Sequence, residues 1–253
     1  MNTIDILIIL IIAIIFIISL IIIRRNKGKC AYCSFSENCP FKKVKMLNKL
    51  FFEIDMTYKK VILFAIGVAI FSAAMLVIPF TIHTSLSNVG TYLESWILFA
   101  LIIIMNCKKP LEAGIKTFLF FLISQPLIYL LQVPFSSLGW QIFMFYPQWF
   151  YITLATFPGA MIAFYVKKDN ILSGVILGVA TGFLTFQGIY FMCEMLNNFP
   201  HSLLSFLYCF VLIFVFILNL LKKKTNRIIA FTITGICLLA SIWIQVFLMG
   251  FAF

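Results

Sequence analysis

Arg24–Lys45 reads RRNKGKCAYCSFSENCPFKKVK, and its position directly after the aliphatic run Ile4–Ile23 decides how the rest of the chain is read. That run is long enough to cross the roughly 30 Å hydrocarbon core of a bilayer as one helix. A cleaved signal peptide carries its positive charge ahead of the apolar stretch. Here only Asp5 precedes it, while Arg24, Arg25, Lys27 and Lys29 follow. The order predicts a retained anchor with its N-terminus outside and the basic stretch in the cytosol.

The composition places the remainder in the membrane as well. Of 253 residues, 63% are hydrophobic and 11% charged, with a mean hydropathy of +1.11, values outside the range of soluble domains. The net charge of +11 does not indicate nucleic acid, because the basic residues sit in short clusters between apolar runs and form no extended face. The runs are continuous rather than alternating, which excludes a β-barrel. Seven follow the anchor: Val61–Phe80, Leu93–Asn106, Thr117–Leu131, Trp149–Val166, Ile171–Met192, Leu203–Leu221 and Ile228–Gly250. The expected fold is an all-α, polytopic membrane protein of about eight transmembrane helices, N-out and C-out.

The basic residues support this count. Intervals 24–60, 107–116, 167–170 and 222–227 hold ten, three, two and four Lys/Arg, which accounts for all nineteen. The alternate connections, near 81–92, 132–148 and 193–202, hold none. Lys and Arg collect on the cytosolic side, and one miscounted span would exchange the sides of every later cluster. Three parts follow: an anchor over 1–23, a cytosolic basic Cys-containing loop over 24–60, and a seven-helix body over 61–253. Within the loop, Val44, Leu47, Leu50, Phe51 and Ile54 recur at helical spacing opposite Lys45, Asn48, Lys49 and Glu53. This pattern fits an amphipathic helix on the cytosolic leaflet or a connector packed against the bundle.

Cys30, Cys33 and Cys39 form C-x2-C-x5-C-P in a compartment that keeps thiols reduced, which favours metal or iron–sulfur ligation over disulfides. Neighbouring cations would favour the ligating thiolates. A tetrahedral site takes four ligands, and Cys107, on the same side, is the candidate fourth. The expected cofactor is iron, zinc or an iron–sulfur cluster; solvated free thiols are the alternative. Residues 1–45, with MNTIDILIILIIAIIF, RRNKGK, CAYC and a third Cys before Pro40, resemble the FeoB-associated cysteine-rich membrane proteins. The resemblance implies an iron- or thiol-linked role for Cys30, Cys33 and Cys39 beside a bacterial membrane transport protein.

The body offers other chemistry. Ser124, Gln125, Thr153, Thr156, Thr181, Thr185, Gln187, Asn219, Thr232, Thr234, Ser241 and Gln245 lie inside spans, as hydrogen-bond partners between helices or as the lining of a path for a neutral solute. No ionisable residue lies in the middle of a span, which argues against proton coupling. Gly174, Gly178 and Gly182 put three missing side chains on one helix face, and Ala65, Ala69 and Ala73 repeat that spacing in the second span. The alanine stripe resembles the substrate-binding components of energy-coupling-factor importers, where such a face meets the coupling subunit; packing within the bundle also explains both stripes. The uncharged, aromatic stretch 132–149 reads as an interfacial belt or as a re-entrant lid. Pro126 predicts a kink beside Gln125. His83, Glu94, Glu194 and His201 fall near span ends on the outer side, an arrangement that would hold a divalent cation if their loops converged.

No H-E-x-x-H, G-x-S-x-G or Walker A pattern occurs, so an enzyme is not expected. Three readings remain. They are an accessory or sensor in metal handling, a permease or substrate-binding component for a small neutral or hydrophobic solute, and a scaffold that joins another membrane protein through the glycine face.

Overall fold

The computed structural model describes residues 51–79, 81, 84–168, 170–197 and 202–250, with side chains as far as Gln245. The anchor and the three loop cysteines lie outside the described residues. Within them the chain is all-helical, with no strand. The helices are α1 (Tyr58–Val77), α2 (Ser85–Thr91), α3 (Leu93–Met105), α4 (Pro110–Gln132), α5 (Tyr146–Ala163), α6 (Ile171–Asn197), α7 (Leu203–Leu220) and α8 (Lys224–Gly250). Two 3-10 turns, Gly139–Phe145 and Phe164–Lys168, flank α5.

Six helical stretches are long and apolar enough to cross a membrane, and α2 with α3 makes a seventh if the pair, bent by 42°, is counted as one span. Each of the seven runs read from the body falls on one of these helical stretches, and one takes a different form. The run read from Leu93 is preceded by α2, which starts at Ser85, and the two helices are separated by a break at Tyr92, whose backbone is extended. The 13 residues of α3 rise only about 20 Å, too little to cross the bilayer alone.

Two helix groups flank this broken central element. On one side α4 packs between α1 and α5, and on the other α6 packs between α7 and α8. The buried residues of α4 (Ala113, Lys116, Thr117, Phe120, Phe121, Ser124, Gln125, Ile128) recur every three or four positions, so one stripe faces inward. Large apolar side chains on the outer surfaces of α5 and α8, such as Tyr151, Leu239 and Trp243, are exposed, as lipid-facing residues must be.

The small-residue stripes are consumed inside the chain. A Cβ added at Gly174 would stand 2.8 Å from Asn226 O, and one at Gly178 would stand 2.9 Å from Ile233 Cβ. The backbones of α6 and α8 therefore approach along this face, joined by a 2.6 Å hydrogen bond between Thr181 Oγ1 and Thr234 Oγ1. No part of that glycine face is left for a separate protein. Ala65, Ala69 and Ala73 are likewise buried, on the helix that packs mainly against α4.

The two ends of the bundle are distinct. At one, Lys167 Nζ donates to Cys107 O at 2.6 Å, so the connections after α3 and after α5 share an end. Lys116 Nζ donates to Met56 O at 2.5 Å and pairs with Glu112, while Ile54 N donates to Asn106 Oδ1 at 2.8 Å. Fully buried Phe51 meets the Phe216 ring edge-on at 6.3 Å. Of the two readings of the 44–54 pattern, its described end is a connector packed into the bundle. At the opposite end, Asn88 Nδ2 donates to Ser202 Oγ at 3.5 Å and Ser205 Oγ donates to Ser85 O at 3.3 Å, which ties α2 to the start of α7.

The stretch 132–149 continues into the helix that follows it. Its 3-10 turn runs directly into α5, and Gly139–Lys168 forms one candidate span. Pro147 sits in the first turn of α5, where its missing N–H costs nothing. Phe135, Trp140 and Met144 are exposed, as in an interfacial belt.

Candidate functional site

The break at Tyr92 exposes carbonyls that an unbroken helix would satisfy, and α3 satisfies two of them with its own side chains. Ser95 Oγ donates to Val89 O, and Trp96 Nε1 donates to Thr91 O at 3.1 Å. This fixes Trp96, 3% exposed, as a wall between two cavities. Discontinuous helices at membrane depth are a recurrent way of building binding sites.

The first cavity, about 120 Å³, lies between α1, α2, α4 and α5 and is bounded by Ser72, Gly90, Thr91, Gln125, Tyr129 and Trp149, among others. Ser72 is fully buried and Gln125 is 3% exposed, yet Ser72 Oγ and Gln125 Nε2 have no hydrogen-bond partner. Buried polar groups are normally paired, so two residues with an orphan polar atom in one cavity wall call for an explanation. Pro126 removes one helical donor next to Gln125. The second cavity, about 210 Å³, shares Trp96 and Trp149 with the first and is otherwise almost purely apolar, with Ile97, Ala100, Phe121, Ile152 and Ala160 among its walls.

Of the intramembrane polar residues singled out in the sequence, most are occupied locally. Thr153, Thr185, Asn219, Thr232 and Ser241 each donate to the carbonyl four residues earlier, and Thr156 to the one three earlier. Ser124 Oγ and Gln125 Nε2 stand apart in having no partner. Ser72 was not singled out, although it lies three residues after Ala69 and seven after Ala65, on the same buried face. That spacing is the signal that finds it.

Glu94, read from the sequence as near a span end on the outer side, occupies the first turn of α3, and what differs is its burial: it has 0% exposure and no side chain hydrogen-bonds its carboxyl oxygens. Glu194 accepts a 2.6 Å hydrogen bond from Ser202 Oγ. His83 and His201 lie outside the described residues, so the outer cation arrangement reduces there to two acids, one buried and one engaged.

The expected thiol site divides in the same way. Cys30, Cys33 and Cys39 lie outside the described residues, and Cys107 is inside them. Cys107 is 1% exposed, its Sγ donates to Ile103 O at 3.2 Å, and burial, helped by nearby Glu112, pushes its thiol up to about 11 against the pull of Lys116 and Lys167. A metal would have to displace that proton and reach a closed position. Among the described residues no three His, Cys, Asp or Glu side chains are grouped to hold a metal ion. No protein-family model, no curated protein and no solved structure matches the chain.

Proposed function

We propose that this chain is a multi-pass membrane protein that binds a small, neutral solute within the bundle, as a permease or as the substrate-binding component of a transporter. The observation that carries the reading is the pair Ser72 Oγ and Gln125 Nε2, both buried and without partners in the wall of one cavity. A charged solute is disfavoured there, because no Asp, Glu, His, Lys or Arg side chain lines that cavity among the described residues and an unpaired charge is costly at such depth. The adjoining apolar cavity, reached past Trp96 and Trp149, suits a solute with one polar end and an apolar body. The proposed topology is eight spans with both termini outside, which puts the small polar cavity toward the outer face and the Lys116–Met56 latch in the cytosol.

Thermal unfolding of the purified full-length protein against paired neutral and charged analogues (amides against carboxylates, alcohols against amines) tests the reading. A ligand that binds only the folded form at a hundredfold excess over its Kd adds about 2.7 kcal/mol of stability. A neutral compound should raise Tm, and Ser72→Ala with Gln125→Leu should abolish the shift. If only charged analogues act, or none does, the reading fails. For the topology, a reporter active only in the cytosol and fused after Phe253 should be silent.

A further inference from the structure

The buried carboxyl of Glu94 is the feature that solute binding leaves unexplained. It sits two residues after the break at Tyr92 and immediately before Ser95 and Trp96, the two side chains that bond the freed carbonyls of Val89 and Thr91. The side chains that interact with its charge are the phenols of Tyr92 and Tyr208 and the thiol of Cys209, none of them positive, and its own backbone N–H is the one donor that favours the charged form. From α6, Glu194 faces Tyr92 but is bonded to Ser202. From α4, Lys116 is held at the far end by Met56 and Glu112.

An ionised carboxylate in this setting would be a charge with no ionic partner and no side-chain hydrogen bond, which a folded protein does not readily keep in a dry interior. To ionise, Glu94 must reach water, and the polypeptide around it must move. The adjoining element whose helical ladder is interrupted is the break itself. Its α2 limb carries Gly90 and Thr91, which wall the small polar cavity, and is fastened to α3 through the Ser95 and Trp96 bonds. An ionisable group buried among membrane helices is the usual mark of a proton path.

We propose that Glu94 is a proton-binding site, and that release of its proton to water loosens the α2–α3 break and opens the cavity walled by Gly90 and Thr91. The ligand is a proton. The step is a simple dissociation of the carboxylic acid into carboxylate and proton, with no other bond made or broken. This goes beyond solute binding and is tested without any solute.

Dicyclohexylcarbodiimide modifies carboxylic acids held in apolar surroundings, and peptide mass spectrometry locates the adduct. In the full-length protein in detergent, Glu94 should be modified at acidic pH, with at least a tenfold loss at alkaline pH and no effect of sodium at fixed pH. Amide exchange over residues 84–92, corrected for its intrinsic pH dependence, should quicken at alkaline pH in the wild type. In Glu94→Gln it should be independent of pH, and in Glu94→Asp the dependence should return. Absence of the adduct, protection by sodium, or an unchanged pH dependence in Glu94→Gln would each overturn the assignment. The adduct is read on the wild type, so the test stands even if Glu94→Gln does not fold.

Discussion

The two ends of the bundle solve the same problem in opposite ways. At the basic end the side chains that tie the elements together have partners, although the Thr117 hydroxyl does not: Lys116 with Met56 O and Glu112, Asn106 with Ile54 and Ile102, Lys167 with Cys107 O, Arg227 with the carbonyls of Leu221 and Leu218. Toward the other end, Ser72, Gln125 and Glu94 are as deeply buried and have unpaired polar atoms. An unmade hydrogen bond to a buried group costs about 1–3 kcal/mol, so the second end forgoes stability that the first secures. Each such group in a folded protein calls for an explanation, and an occupant that hydrogen-bonds to it is one.

This contrast makes substitutions at the two ends differ in sign. The largest effect is expected at the basic end, where Phe51→Ala empties a fully buried ring site against Phe216 and should cost about 3–5 kcal/mol, read as a lower midpoint in detergent or denaturant unfolding. Next is Lys116→Met, which strands the Met56 carbonyl and should cost about 2 kcal/mol in the same assay. At the opposite end, Ser72→Ala removes an orphan hydroxyl and should stabilise the solute-free protein by about 1 kcal/mol. A loss there instead would mean the hydroxyl is already satisfied, and the comparison would fail. The smallest effect is Thr181→Val, which removes the interhelical bond to Thr234 at a cost of about 0.6 kcal/mol.

The positions of the spans were legible because burial in lipid demands long apolar runs, and the pairing of ends was legible because Lys and Arg accumulate on alternate connections. Lys167 against Cys107 and Asn88 against Ser202 agree with that alternation. What the sequence did not disclose depends on contacts between helices. Nothing in YLESW signals a break at Tyr92, because the break is held by Ser95 and Trp96 reaching back to α2 rather than by a proline or glycine at the bend. Glu94 consequently reads as the solvated start of a helix. Lys116 reads as one more cytosolic cation, although its spacing from Ala113 and Phe120 places it on the buried stripe of α4. The glycine stripe was legible as a close-packing face, but not its partner, which proved to be α8 of the same chain.

The central claim is that the polar cavity beside the break is built to hold a neutral molecule. Native mass spectrometry of the full-length protein, released from mild detergent, tests it directly. The wild type should bind a single neutral compound from the thermal panel at one equivalent, and the Ser72→Ala, Gln125→Leu variant should show the bare mass under the same conditions. Equal binding by both proteins, or none by the wild type, would contradict the account.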